Sequence, residues 1–212
     1  MRPLVLFSIV TTLACSETEN TEKSNTAPSI SSVEITPQEV YTSSQVLCIS
    51  SATDPDNDQL SLSYIWNNQN DEELGTQAQL QLTPDLVQPE DTLTCTVIAD
   101  DGGEVSEVQA SSISILNTPP ELTDITITPT ESEIDTELTC TAQGIDADNT
   151  NTTITYQWLA QELEVSSVAS YTPSDAIPGD VRTCIATITD SNGATNSKRL
   201  DVTIQNSLPM VS

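Results

Sequence analysis

The residues best suited to chemistry in this 212-residue chain are carboxylates. Asp54, Asp56 and Asp58 alternate within the turn-forming run Asp-Pro-Asp-Asn-Asp, and Asp100 and Asp101 precede Gly102 and Gly103 in a second turn. A similar set recurs downstream as Asp146, Asp148 and Asp190. Oxygen ligands at this density suit Ca2+, which accepts about six to eight of them in loose geometry. The spacing is not that of an EF-hand, since Gln59 stands where the glycine is needed and Ile65 where the bidentate glutamate is needed. The competing reading is that Asp and Asn close turns by bonding their own backbone.

Other chemistries lose their residues. The chain has no histidine, so neither a Ser-His-Asp nor a Cys-His arrangement can be built. Its six glycines form no phosphate-cradling loop. Paired carboxylates can act as acid and base, but among 32 acidic residues some pairs come close by number alone. A net charge of −27 repels nucleic acid and anionic headgroups while keeping an exposed protein soluble. We therefore expect no enzyme, no nucleic-acid partner and no required cofactor, with Ca2+ as the one optional ion.

These aspartates belong to an internal repeat. NTAPSISSVEITP at 25–37 returns as NTPPELTDITITP at 117–129. Cys48, Asp54, Tyr64 and Trp66 map onto Cys140, Asp146, Tyr156 and Trp158 with an offset of 92. Thr83, Asp91, Cys95 and Asp101 map onto Thr172, Asp180, Cys184 and Asp190 with an offset of 89, so three residues are lost between Trp66 and Thr83. Apolar residues alternate with Thr, Ser and Gln at Val46–Cys48–Ser50, Leu62–Tyr64–Trp66, Leu93–Cys95–Val97–Ala99 and Ile113–Ile115, which is the period of half-buried strands. Turns such as Asp-Asp-Gly-Gly and Asp-Ser-Asn-Gly separate them. The expected fold is all-β: two tandem antiparallel sandwiches.

Each unit reads Cys, then Trp 18 residues on, then Cys again (Cys48–Trp66–Cys95 and Cys140–Trp158–Cys184). This resembles the immunoglobulin pattern, and the loop DPDND followed by LSLSYIW resembles bacterial immunoglobulin-like repeats of the PKD type. Trp66 is followed by NNQND instead of the PKD signature WDFGDG, and Leu93 and Arg182 stand where a tyrosine corner would place Tyr. The resemblance implies bridges Cys48–Cys95 and Cys140–Cys184 between the sheets, with Trp66 and Trp158 in the core against them. The rival pairings, Cys48 with Cys140 or Cys184, would tie the units to each other.

The N-terminus, MRPLVLFSIVTTLAC, has a positive start, a short apolar run and small residues leading to Cys15. It resembles a bacterial lipoprotein signal whose box is Thr12-Leu13-Ala14-Cys15, which implies lipidation of Cys15 and, with Ser16 next, an outer-membrane or cell-surface address; simple secretion is the alternative. The organisation expected is a signal at 1–14, a lipidated Cys15 with a flexible tether over 15–27, domain one at 28–116, domain two at 117–205, and at 206–212 the start of a truncated third repeat or a tail. Twelve tether residues reach roughly 40 Å when extended.

In an immunoglobulin-like sandwich the loops holding Asp54, Asp56, Asp58 and Asp101 share one end, as do those holding Asp146, Asp148 and Asp190. The second set should face domain one, where the linker contributes Asn117 and Glu121 and the opposing turn contributes Glu90 and Asp91. A Ca2+-stiffened junction follows as a hypothesis. The function expected is a structural stalk or a protein-interaction and adhesion module on the cell surface, its protein partner unknown. The alternatives are a Ca2+- or glycan-binding module, or the N-terminal part of a longer surface protein.

Overall fold

The computed structural model describes residues 24–206. The signal, Cys15, most of the tether and residues 207–212 lie outside the described residues.

The alternating segments form sixteen strands in two sandwiches. In domain one these are β1 (Ser29–Thr36), β2 (Val40–Tyr41), β3 (Gln45–Thr53), β4 (Ser61–Asn67), β5 (Glu73–Gly75), β6 (Gln79–Gln81), β7 (Thr92–Asp100) and β8 (Gln109–Leu116). Domain two repeats them as β9 (Glu121–Thr128), β10 (Ser132–Glu133), β11 (Leu138–Ile145), β12 (Thr153–Ala160), β13 (Leu163–Ser166), β14 (Ser170–Tyr171), β15 (Val181–Thr189) and β16 (Thr195–Gln205). Each domain packs a three-stranded sheet, β1-β3-β6 or β9-β11-β14, on a five-stranded one, β2-β8-β7-β4-β5 or β10-β16-β15-β12-β13. The short β2 and β10 run parallel to the last strand of their domain, and the other pairings are antiparallel.

The alternation dictates the core. Val46, Leu93, Cys95, Val97 and Ala99 are fully buried, as are Leu138, Cys140, Cys184, Ala186 and Ile188. Trp66 and Trp158 have no exposed surface, and each indole N–H donates to a main-chain carbonyl, of Gln77 at 2.8 Å and of Ala169 at 3.2 Å. Bridges Cys48–Cys95 and Cys140–Cys184 cross from sheet to sheet, spanning 47 and 44 residues. Closing loops of this length contributes roughly 4 kcal/mol each in the chain-entropy account.

The lost residues fall in two places. Three residues, 69–71, turn the chain between paired Asn68 and Glu72, where domain two needs only Gln161 and Glu162 between Ala160 and Leu163. Ala78 and Ala169 both accept from the main-chain N–H of the first cysteine of their domain, but four residues, 79–82, then lead to Thr83 where only two, 170–171, lead to Thr172.

One inward position breaks the alternation. Leu93 of domain one is replaced in domain two by Arg182, 2% exposed. Two neighbours change with it: Leu86 becomes Asp175 and Leu82 becomes Tyr171. The new side chains bond one another, Arg182 Nη2 to Asp175 at 3.2 Å and Tyr171 Oη to Asp175 at 3.3 Å. The Asp175 carboxyl is held below its ordinary value chiefly by the Arg182 hydrogen bond.

Replacing Trp158 by Ala should cost about 3–5 kcal/mol of unfolding free energy in urea titration of the oxidised protein. Arg182→Leu, which copies Leu93, should leave stability level or raise it, because it replaces a buried guanidinium whose Nε–H lacks an acceptor by a packed apolar side chain, while Asp175, 67% exposed, stays hydrated.

Candidate functional site

The loop ends are built from aspartates in three positions. The first closes its own turn. Asp54 Oδ1 accepts the N–H of Asp56 at 2.7 Å and of Asp58 at 3.1 Å, and Asp146 Oδ1 accepts the N–H of Asp148 at 2.7 Å. The backbone-bonding role of aspartate in turns accounts for this position in both repeats.

The second and third positions hold the entering chain. In domain one the Thr26 N–H donates to Asp56 Oδ2 at 2.8 Å, and the Asn25 side-chain amide donates to Asp101 Oδ2 at 3.1 Å. In domain two the Thr118 N–H donates to Asp148 Oδ2 at 2.6 Å, and the Asn117 amide donates to Asp190 Oδ2 at 2.9 Å. The same Asn-Thr dipeptide is thus clamped between the same two aspartates twice. Gly103 leaves room for it, since a Cβ there would stand 2.8 Å from Asn25 Nδ2. The last residues assigned to the flexible tether, Asn25 and Thr26, are fastened to domain one.

The third aspartate is fixed from behind by its own turn. Asp101 Oδ1 accepts the N–H of Gly103 and of Glu104, each at 2.7 Å, and Asp190 Oδ1 accepts that of Ala194 at 2.8 Å. These donors stabilise the ionised form. Asp101 lies below the ordinary carboxylate value of 3.8, held there first by the Glu104 and Gly103 amides and then by Asn25. At Asp190, burial pushes upward, but the Asn117 amide and the N–H groups of Ala194, Asn192 and Gly193 outweigh it, and the carboxyl also lies below 3.8.

The two clamps differ in what lies beyond them. Asp148 is completely buried, and its Oδ1 accepts the Thr42 hydroxyl of domain one at 2.5 Å and the Thr118 hydroxyl at 3.2 Å. Thr42, in the turn between β2 and β3, is itself fully buried. One carboxylate therefore joins domain one, the linker and domain two. A buried carboxylate needs this many donors, because an unsatisfied one costs several kcal/mol.

The residues expected at the site fall into groups. Asp54, Asp56 and Asp58 offer ligand oxygens within 4.8 Å of one another. Asp146, Asp148 and Asp190 lie at the junction, engaged by the donors above and by the Thr150 hydroxyl at 3.0 Å from Asp146 Oδ2. Asn117 belongs to the clamp. Glu90 and Asp91 serve their own turn: the Glu90 N–H bonds the Ile115 carbonyl, and Asp91 accepts from the Gln88 N–H at 2.8 Å and the Gln69 amide at 2.6 Å. Glu121 begins β9, paired with Ile145. What domain one offers Asp148 is the Thr42 hydroxyl. The repeated Asn-Thr of 25–26 and 117–118 was the available sign of the clamp; Thr42 had none, since its counterpart is Ile134.

Sequence comparison finds no matching family model and no matching curated protein. Solved structures with a similar arrangement include two fibronectin type III domains of chicken tenascin (9% identity, 81% of this chain and 98% of that one, TM-score 0.42). They also include immunoglobulin domains 1–5 of Sidekick-1 (17% identity, 88% and 40%, TM-score 0.38). A third is the three N-terminal domains of the bacteriophage RB49 highly immunogenic outer capsid protein (17% identity, 85% of this chain, TM-score 0.31), of which this chain spans 59% of the length. The chain is an all-β tandem of two antiparallel sandwiches, each bridged by its own disulfide.

Because Asp101 and Asp190 have folded-state values below the ordinary one, the stability they contribute is present above about pH 4 and is lost as pH falls through their lowered values. Melting temperature should therefore drop between pH 4 and pH 2, and Asp190→Asn should flatten that drop. Asp148→Ala, which strands three donors, should lower unfolding free energy by about 2 kcal/mol.

Proposed function

We propose that this chain is a non-catalytic surface module: a stalk of two sandwiches clamped end to end, exported and carried on a lipid at Cys15, that holds a protein-interaction surface away from the membrane. The observation that carries this reading is the buried Asp148, which ties both domains and their linker together by hydrogen bonds. A domain pair joined by a free linker would swivel, whereas one whose linker amide and facing hydroxyl share a buried carboxylate holds a direction. Two intradomain disulfides fit an oxidising, exported setting. Trp66 and Trp158 are buried and the described tyrosines are only part-exposed, which favours the protein-interaction reading over the glycan alternative.

A second reading, Ca2+ at the outer loop, has its own observation. In domain two the Thr150 hydroxyl satisfies Asp146 Oδ2. In domain one the equivalent residue is Asp58, and Asp54 Oδ2 is buried without a hydrogen-bond partner. An orphaned oxygen among three carboxylates suits a hard cation.

Small-angle scattering of the soluble chain should show one well-defined extent, and Asp148→Ala combined with Thr42→Val should broaden the distribution of end-to-end distances. An unchanged distribution would remove the stalk reading. For the second reading, calorimetry with CaCl2 should give heat from the unaltered chain and none from Asp58→Thr, which copies domain two; absence of heat from both discards Ca2+.

A further inference from the structure

The two domains are copies, so a feature that one copy protects and the other exposes is informative. The outermost strand of the five-stranded sheet is such a feature. In domain one this edge, β5, follows a turn bound up by polar groups: the Asn67 amide to the Asp71 carbonyl at 3.1 Å, the Asn68 amide to Glu72 at 2.7 Å, the Gln69 amide to Asp91 at 2.6 Å. Glu72 and Glu73 lead into it. Charged side chains at an edge deter strand pairing.

Domain two keeps one of these two charges, as Glu164, and loses the other together with the polar turn. Its edge strand β13 has Leu163 in place of Glu72 and Val165 in place of Leu74, and the two are 72% and 37% exposed. Val168, just beyond, is 61% exposed. Below the edge lies a pocket of about 280 Å3 lined by Ala160, Leu163, Val165, Asp175, Asp180 and Arg182. Arg182 uses its two terminal nitrogens on Asp175, Asp180 and the Val181 carbonyl, yet its Nε–H is buried with no acceptor. Buried donors are ordinarily satisfied. The cost is not imposed by the fold, because the first copy places Leu93 there.

We propose that β13 receives an extended polypeptide strand from a partner protein. Main-chain bonding to the open edge supplies affinity, and an aliphatic side chain of the strand packs between Leu163 and Val165 at the mouth of the pocket. Glu164 lies in the strand, Glu162 precedes it, and Asp175 and Asp180 line the pocket. These four carboxylates outnumber Arg182 and Arg199, which pair with three of them, so the strand that fits alternates aliphatic residues with Lys or Arg. A second copy of this chain is a poorer occupant, since antiparallel self-pairing would bring the acidic edges together on two bodies of net charge −27. This proposal rests on the interaction-module reading and names its surface and partner class.

The test is NMR titration of the soluble, 15N-labelled chain with a six-residue peptide alternating Lys and Val, and with its Glu–Val counterpart. Saturable shifts should appear in the Leu163–Ser166 amides with the basic peptide alone. Leu163→Glu, which copies Glu72, should abolish binding. The proposal falls if no saturable shift occurs at β13 at millimolar peptide, if shifts spread over the acidic loops and persist in Leu163→Glu, if the acidic peptide binds equally, or if sedimentation shows the chain alone dimerising through this edge. The scattering measurement does not involve β13, so failure here would be distinguishable from failure of the stalk.

Discussion

A carboxylate taken out of water must be surrounded by donors, and Asp148 is the place where this constraint organises the molecule. Its oxygens, in domain two, are met by one backbone N–H and two hydroxyls drawn from domain one and the linker. None of these donors can leave without stranding a buried charge. The geometry of the junction is therefore set by hydrogen-bond satisfaction more than by apolar contact, which suits a chain with so little large apolar surface to spare. The sandwiches supply the rigid frame: disulfide and tryptophan fix the two sheets, and the sheets fix the loop ends where the aspartates sit.

The same device at Asn25 and Thr26 shows that the clamp belongs to the repeat and not to the junction alone. Each unit begins by binding the dipeptide that precedes its first strand. The junction adds a single contact from outside, the Thr42 hydroxyl. A tandem of such units is thus stiffened by a small adjustment at one turn of the preceding domain, with no change to the clamp itself.

Much of this was legible in the sequence. Spacing of Cys48, Trp66 and Cys95 and its recurrence gave the two sandwiches, because inward alternation and sheet-bridging cysteines are local, periodic signals. Aspartate repetition marked the loop ends. What the aspartates do there was less accessible. Metal ligation and backbone capping draw on the same residue types at the same spacing, and only the positions of donors such as Thr118 and Ala194 separate them. Thr42 was invisible, since a lone hydroxyl in one copy leaves no repeat signal. Arg182 was visible as an anomaly two residues before Cys184, but its compensation by Asp175, 7 residues back, and by Tyr171 crosses a turn and follows no strand period. Each copy is a natural variant of the other on the same frame, so a residue that differs between them marks where the two domains part in role.

Hydrogen exchange at the Thr118 amide tests the central claim most directly. Thr118 lies in the linker outside any strand, where an unrestrained N–H would exchange at the rate of free chain. Buried bonding to Asp148 should instead slow it by orders of magnitude, to the level of amides in β11 and β15. Exchange at the unprotected rate near neutral pH, with the strands of both domains still protected, would contradict the clamp and the rigid stalk built on it.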